Sequence, residues 1–194
     1  MVTQKSFALR LIVSVMSALS QKPRVIVYHA NQCDPKKCTG TRLGKMKRAK
    51  IVQSMRQIPP GAVVLNPVSK VAFSPADKES VLRSGLVALD CSWKQAEKIF
   101  AASRAGAQRS LPYLLAANPI NTYIPIKLST AEALAAGLYI IGLTQDAYEL
   151  MSVFKWGDSF ITLNREWLDA YAECKTSSEV VTVQREIMQE HSRE

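Results

Sequence analysis

At 194 residues, with 47% hydrophobic and 21% charged residues, the chain is long enough for a sizeable core and too apolar to be disordered. Four cysteines in this length do not make a disulfide scaffold, and no run approaches the ~20 apolar residues that cross a bilayer. The net charge of +9 is unevenly placed: residues 1–144 carry 20 Lys/Arg against 6 Asp/Glu, whereas residues 145–194 carry 5 against 10. A basic body with an acidic tail points to a polyanionic partner, because Lys and Arg that neutralise phosphates release condensed counterions.

The first 22 residues place Lys5 and Arg10 before the apolar run Leu11 to Leu19. That run is short, broken by serines, and lacks a small-x-small cleavage site, so it reads as an N-terminal extension of a cytoplasmic protein. "RVIVYHA" (24–30) is a β-branched strand that enters the basic turn "NQCDPKKCTG". Leu43, Met46, Ile51, Met55 and Ile58 fall near helical spacing and predict a helix over 42–58, stopped by Pro59-Pro60-Gly61. "AVVLNP" (62–67) is a second strand. "SPADKESVLRSG" (74–85) has Ser74 and Pro75 at a helix start and Gly85 at its end. "LVALDCS" (86–92) is a buried strand running into a helix, "WKQAEKIFAASRA", with Trp93, Ala96, Ile99 and Phe100 on its inner face. A basic turn around Arg104 and Arg109 leads to an expected strand, "LPYLLAANP", and then to a loop containing Pro125. "TAEALAAGLYIIG" (130–142) is an Ala-rich helix, and the remaining residues are helical in pattern. Strands alternating with helices predict an α/β fold with a helical C-terminal cap.

Most common chemistries are excluded by spacing. Cys33-x4-Cys38 is wrong for a zinc knuckle, no second Cys/His pair follows, and there is no C-x-x-C, so no metal site is expected. "GTRLGKM" (40–46) has its glycines one residue too close for a P-loop, and Met46 stands where a hydroxyl must reach Mg²⁺. No G-x-G-x-x-G or G-x-S-x-G occurs, and only two histidines are available as bases. Asp90 remains, at the C-terminal end of the most apolar strand, where α/β sheets open their ligand sites. It reads either as a helix N-cap or as a carboxylate beside an apolar wall, available as a base.

Six blocks taken together resemble one family: "CDPKKCTG", "VLNP", "LDCSW", "LPYLLAANPIN", "KLSTAEALAAGLYI" and "FKWGDSFITLNREWLDAYAEC". In this order, over about residues 24–175, they are similar to the small-subunit rRNA aminocarboxypropyltransferases. The resemblance implies an α/β fold whose SPOUT-like C-terminal domain (86–194) carries a deep trefoil knot and binds S-adenosylmethionine. A smaller α/β N-terminal domain (23–85) with a basic RNA-facing segment would precede it, after the extension 1–22. Chain-threading rules would not predict the knot. The implied reaction moves the 3-amino-3-carboxypropyl group, not the methyl, to nitrogen 3 of a 1-methylpseudouridine and releases methylthioadenosine.

On that resemblance Thr39 holds the cofactor's amino acid end. Leu65, Pro67, Trp93 and Ala96 form an apolar slot for adenine and the sulfonium methyl. Backbone at Leu89, Leu111 and Leu115 meets ribose and adenine edges, while Ile126 and Thr130 close the site. Ile126 stands where many relatives are expected to carry an aromatic. Asp90 either stabilises the sulfonium or accepts the proton from the attacking nitrogen. Lys36, Lys37, Arg42, Lys45, Lys47, Arg48 and Lys50 fall within fifteen residues that contain no acid. They read as an rRNA backbone track, and the cysteines of the turn as packing. The expected partner is small-subunit rRNA or a pre-ribosomal subunit, met by a monomer without a membrane. The competing readings are a SPOUT-class RNA methyltransferase and a non-enzymatic rRNA-binding assembly factor.

Overall fold

In the computed structural model, which describes residues 22–30, 38–91 and 105–193, the apolar runs of the first half become five parallel strands. These are β1 (Val25–His29), β2 (Lys50–Val52), β3 (Val63–Leu65), β4 (Leu86–Asp90) and β5 (Ala107–Arg109), in the spatial order β2-β1-β4-β3-β5. Every residue of β4 is buried, as expected of a central strand in a sheet covered on both faces. It pairs with β1 from Val25↔Leu86 to His29↔Asp90, and with β3 from Val63↔Leu86 to Leu65↔Ala88.

Seven α-helices lie among the described residues: α1 (Thr39–Lys45), α2 (Lys78–Ser84), α3 (Thr130–Ile140), α4 (Thr144–Met151), α5 (Gly157–Leu163), α6 (Arg165–Glu173) and α7 (Ser177–His191). The alternation of β1 and β4 divides the core. Val27, Leu86 and Ala88 face the larger cluster with α1, α3 and the C-terminal helices, whereas Ile26, Val87 and Leu89 face a smaller one with Val52, Ile58 and Val64. Among the named residues, α3 is buried on nearly every side, and Gly137 lets it approach β4, since a Cβ there would stand 2.9 Å from Leu86 Cδ2. The strands on either side of residues 85 and 86 interleave: β4 inserts between β1 and β3, so both parts of the chain share one sheet.

Two expected elements are corrected. The helix predicted over 42–58 stops at Lys45, because Lys47 takes a left-handed φ of 55° and the Arg48 N–H returns to the Leu43 carbonyl. The β-branched Ile51 and Val52 then join β1 as an edge strand, followed by a single 3-10 turn, Met55–Gln57. The segment "LPYLLAANP" is extended but not part of the sheet, whose fifth strand is the shorter Ala107–Arg109 in the expected basic turn. Its alternate N–H groups go instead to helix side chains: Tyr113 donates to Gln184 Oε1, Leu115 to Asn164 Oδ1, and Ala117 to Glu132 Oε1. Its other edge folds back on residues 123–126 through Tyr123 N–H to Ala116 O and Ile126 N–H to Leu114 O. The helix expected after Asp90, with Trp93 and Ala96, lies outside the described residues, as do most of the N-terminal extension and the tip of the turn with Lys36 and Lys37.

Candidate active site

Because all five strands are parallel, their carboxyl ends lie along one edge of the sheet. The chain leaves β1 for β2 on one flank and leaves β4 for β5 on the other, so the sheet changes direction between β1 and β4. Crevices for ligands open at such switch points. The residues that end those two strands, His29 and Asp90, are in register, and strand alternation sends both side chains toward α1 and α3.

Asp90 is 6% exposed, and side-chain donors from two other elements converge on it. Thr130, the first residue of α3, donates its hydroxyl to Oδ1 at 3.0 Å. The Cys38 thiol, at the N-cap of α1, donates to Oδ2 at 2.8 Å. His29 Nε2 lies 3.6 Å from both Oδ2 and Cys38 Sγ. The Thr41 hydroxyl is 3.1 Å from His29 Nε2 and 3.1 Å from Cys38 Sγ, and the Thr41 N–H caps the helix on the same sulfur at 3.2 Å. Gly40 permits this convergence, since a Cβ there would stand 2.6 Å from Asp90 Oδ2 and 3.0 Å from Val27 Cγ1. Thr39 Oγ1 accepts the Ala131 N–H at 3.3 Å and so ties the starts of α1 and α3 together.

Burial first, and then the hydrogen bond to Asp90, push the Cys38 thiol above its ordinary value, outweighing the opposite pull of Thr41. Burial and the Asp90 charge push Cys91 up to about 11. His29, Cys38 and Asp90 present ligand-type atoms within 4.8 Å of one another. Cys38 and Asp90 are joined by the S–H···Oδ2 bond, which an ion bound here would have to replace. The cluster is a hydrogen-bonded network in which the carboxylate meets hydroxyl, thiol and imidazole.

The expected site residues sort as follows. Asp90, Thr39 and Thr130 are brought together directly. Leu65 is buried at the end of β3, beside β4, and Pro67 is exposed in the turn that follows. Leu89 is buried, and β3 pairing stops at Ala88, so its backbone runs past that neighbour. Leu111 lies two residues beyond β5. The N–H and carbonyl of Leu115 are both engaged by the Asn164 carboxamide, at 2.8 and 2.9 Å. Ile126 is 56% exposed with a φ of 66° in the loop before α3. Of the basic track, Arg42 stacks over the Phe154 ring at 5.4 Å and Arg48 pairs with Glu149 at 3.5 Å, whereas the side chains of Lys45, Lys47 and Lys50 are exposed.

The sequence reading misses Cys38 and His29. It treats the cysteines as packing, and their distance of 52 and 61 positions from Asp90 hides the cluster. Its one signal is that His29 and Asp90 both end strands that could pair. Glu132 is also missed. It is fully buried, accepts the N–H groups of Ala117, Asn118 and Ser129 and the Asn118 carboxamide, and so ties the 115–130 loop to α3.

Comparison with known proteins is decisive for the family. The model described as "Ribosome biogenesis protein, C-terminal" matches residues 63–188. The chain is 52% identical over 168 residues to the 16S rRNA aminocarboxypropyltransferase of Methanothermobacter thermautotrophicus, covering 85% of this chain and 98% of the relative. The enzyme of the same name from Methanopyrus kandleri is 48% identical over 165 residues, covering 84% and 98%. The chain belongs to the 16S rRNA aminocarboxypropyltransferase family. The solved structure of the SAM-dependent rRNA:acp-transferase Tsr3 from Vulcanisaeta distributa superposes with a TM-score of 0.77 at 36% identity, covering 86% of this aminocarboxypropyltransferase-family chain and 96% of that one.

A second model, described as "Possible Fer4-like domain in RNase L inhibitor, RLI", matches residues 23–57. A four-iron cluster takes four cysteine thiolates. The matched segment has two cysteines, and the thiol of one, Cys38, is a buried donor to Asp90, so the residues present do not fit that group. No described helix is long and apolar enough to cross a membrane.

Proposed function

We propose that this protein transfers the 3-amino-3-carboxypropyl group of S-adenosylmethionine to nitrogen 3 of a 1-methylpseudouridine in small-subunit rRNA, with methylthioadenosine as by-product. The observation that carries this reading is the buried Asp90 carboxylate at the switch point of the sheet, bridged to α3 by Thr130 and to the α1 cap by Cys38. The donor supplies a carbon made electrophilic by its sulfonium. Asp90 accepts the proton that the target nitrogen loses as the nitrogen attacks that carbon and the carbon–sulfur electrons pass to sulfur. An anion at this place also balances the sulfonium charge before reaction.

The remaining roles are those that the family resemblance implies. Thr39 and Thr130, at the starts of α1 and α3, orient the amino acid end of the donor. Leu65 and Pro67, with Trp93 and Ala96, wall the adenine and the methyl, and hiding the methyl while exposing the carboxypropyl carbon selects the group transferred. Backbone at Leu89 and Leu111 meets the nucleoside. With its peptide groups engaged by Asn164, Leu115 contributes an apolar side chain, and the exposed Ile126 closes over the pocket. Lys45, Lys47 and Lys50, with Lys36 and Lys37, form the phosphate track, while Arg42 and Arg48 brace it against α4 and Phe154.

We assign residues 23–85 to an N-terminal α/β part that carries the basic RNA-facing segment, and 86–194 to a SPOUT-like, knotted cofactor-binding part with a helical cap, the two sharing one sheet in a cytoplasmic monomer. The test uses small-subunit rRNA that lacks the modification, with donor labelled on either the carboxyl carbon or the methyl. Carboxyl label is expected in the RNA and methyl label in methylthioadenosine. Methyl label alone in the RNA would establish a methyltransferase, and no transfer with intact RNA binding would establish an assembly factor.

A further inference from the structure

The Asp90 carboxylate is held from both sides, and the two holders differ in kind. Thr130 sits at the start of α3, where the proposed donor binds, and its hydroxyl can turn toward a ligand. Cys38 cannot turn away in the same manner. The residue is 7% exposed, its sulfur already accepts the Thr41 N–H at 3.2 Å and faces the Thr41 hydroxyl at 3.1 Å, and its thiol donates to Oδ2 at 2.8 Å. Gly40, two residues on, has no side chain, and a Cβ there would stand 2.6 Å from Oδ2, so α1 comes close to the carboxylate only because this position is glycine.

We infer that Cys38 is a positioning residue for the transfer reaction: through its S–H···Oδ2 bond it locks the plane of the Asp90 carboxylate, leaving Oδ1 directed to the α3 side, where substrate meets donor. This rests on the proposed function for its kinetic consequence, but the bond itself does not. A thiol suits the task because it is a weak acid made weaker by burial and by Asp90, so it donates without surrendering its proton to the base it orients. Thr41 in turn fixes the thiol rotor, and His29, from the strand paired with β4, closes the same ring of contacts. The network orients the base from the α1 side of the carboxylate.

Two measurements test this. In the infrared, the S–H stretch of Cys38 is expected at lower frequency than that of Cys174, whose thiol donates to the neutral Ala170 carbonyl at 3.4 Å, and it should rise in Asp90→Asn. A Cys38 band insensitive to Asp90→Asn would overturn the bond, whatever the reaction proves to be. In single-turnover transfer, Cys38→Ala is expected to lower the rate ~30-fold while donor affinity changes less than ~3-fold, since a misplaced group costs up to ~10²-fold. Cys38→Ser, which keeps both the helix cap and a donor, should recover to within ~3-fold of the wild type, and Cys38→Ala added to Asp90→Asn should cost less than ~2-fold more. A merely structural role predicts the reverse: equal loss in Ser and Ala, or full multiplication of the two effects. A wild type that shows the infrared shift but transfers no carboxypropyl group would refute the reaction and leave the bond standing.

Discussion

Two buried carboxylates near the start of α3, Asp90 and Glu132, are held by different kinds of partner. Glu132 is fully buried and takes three backbone N–H groups, fixed by the chain itself, and one side-chain carboxamide. Asp90, nearly as buried, is met by a hydroxyl, a thiol and an imidazole, all of them side-chain groups brought from other elements. The first arrangement ties a loop to a helix through backbone donors, which suits support. The second is the setting in which the proposed role of Asp90 would operate.

The sharpest way to break the comparison is to neutralise each acid. Asp90→Asn keeps the shape and is expected to lower transfer by ~10²–10⁴-fold with little change in the thermal midpoint, the range of a lost general base. Glu132→Gln sets an amide against N–H donors and is expected to cost ~3 kcal/mol of stability, seen by denaturant melting, with activity lost only as the loop loosens. Equal melting losses in the two variants would erase the distinction. Gly40→Ala probes the approach of α1 to Asp90: with a Cβ 2.6 Å from Oδ2, transfer should fall ~10-fold or more, with ~1–3 kcal/mol of overpacking strain. Charge reversal of Lys45, Lys47 and Lys50 should weaken rRNA binding and lower its salt slope by ~0.9 per lost phosphate contact, leaving donor binding unchanged. Reversal of Arg48 is a poorer probe because it also breaks the pair with Glu149.

The smallest effect lies in the helical half. The Tyr139 hydroxyl donates to Asp169 at 2.6 Å, and burial followed by that carboxylate push it up to about 12. The protonated form is favoured on folding, so its contribution is complete below the ordinary value near ~10 and disappears as pH rises toward 12. Thermal midpoints from pH 8 to 12 should fall more steeply in the wild type than in Tyr139→Phe.

Much of the scaffold is legible before any coordinates. The β-branched runs at 24–30 and 62–67 and the apolar run at 86–92 become strands because burial on two faces tolerates little else, and "STAE" marks the start of α3 through its capping box. Two stretches mislead for opposite reasons. At 42–58 helical spacing is present by coincidence, and a left-handed Lys47 with β-branched Ile51 and Val52 turns the chain into an edge strand. At 111–118 a strand-like sequence is extended, yet its partners are side-chain amides of Gln184, Asn164 and Glu132, contributed from 15 to 71 positions away.

By itself the sequence determined the α/β class, the uneven charge, the family blocks, and Asp90 as the carboxylate of interest. These depend on local spacing, on residue type and on a strand end, all of which are written along the chain. Only the tertiary structure decided what surrounds Asp90. His29 reaches it through strand register, Cys38 through the cap of α1, and Thr130 through the start of α3. Whether Cys38 packs a turn or orients a base is decided by the thiol's neighbour across 52 positions, and no pattern within the turn encodes that neighbour.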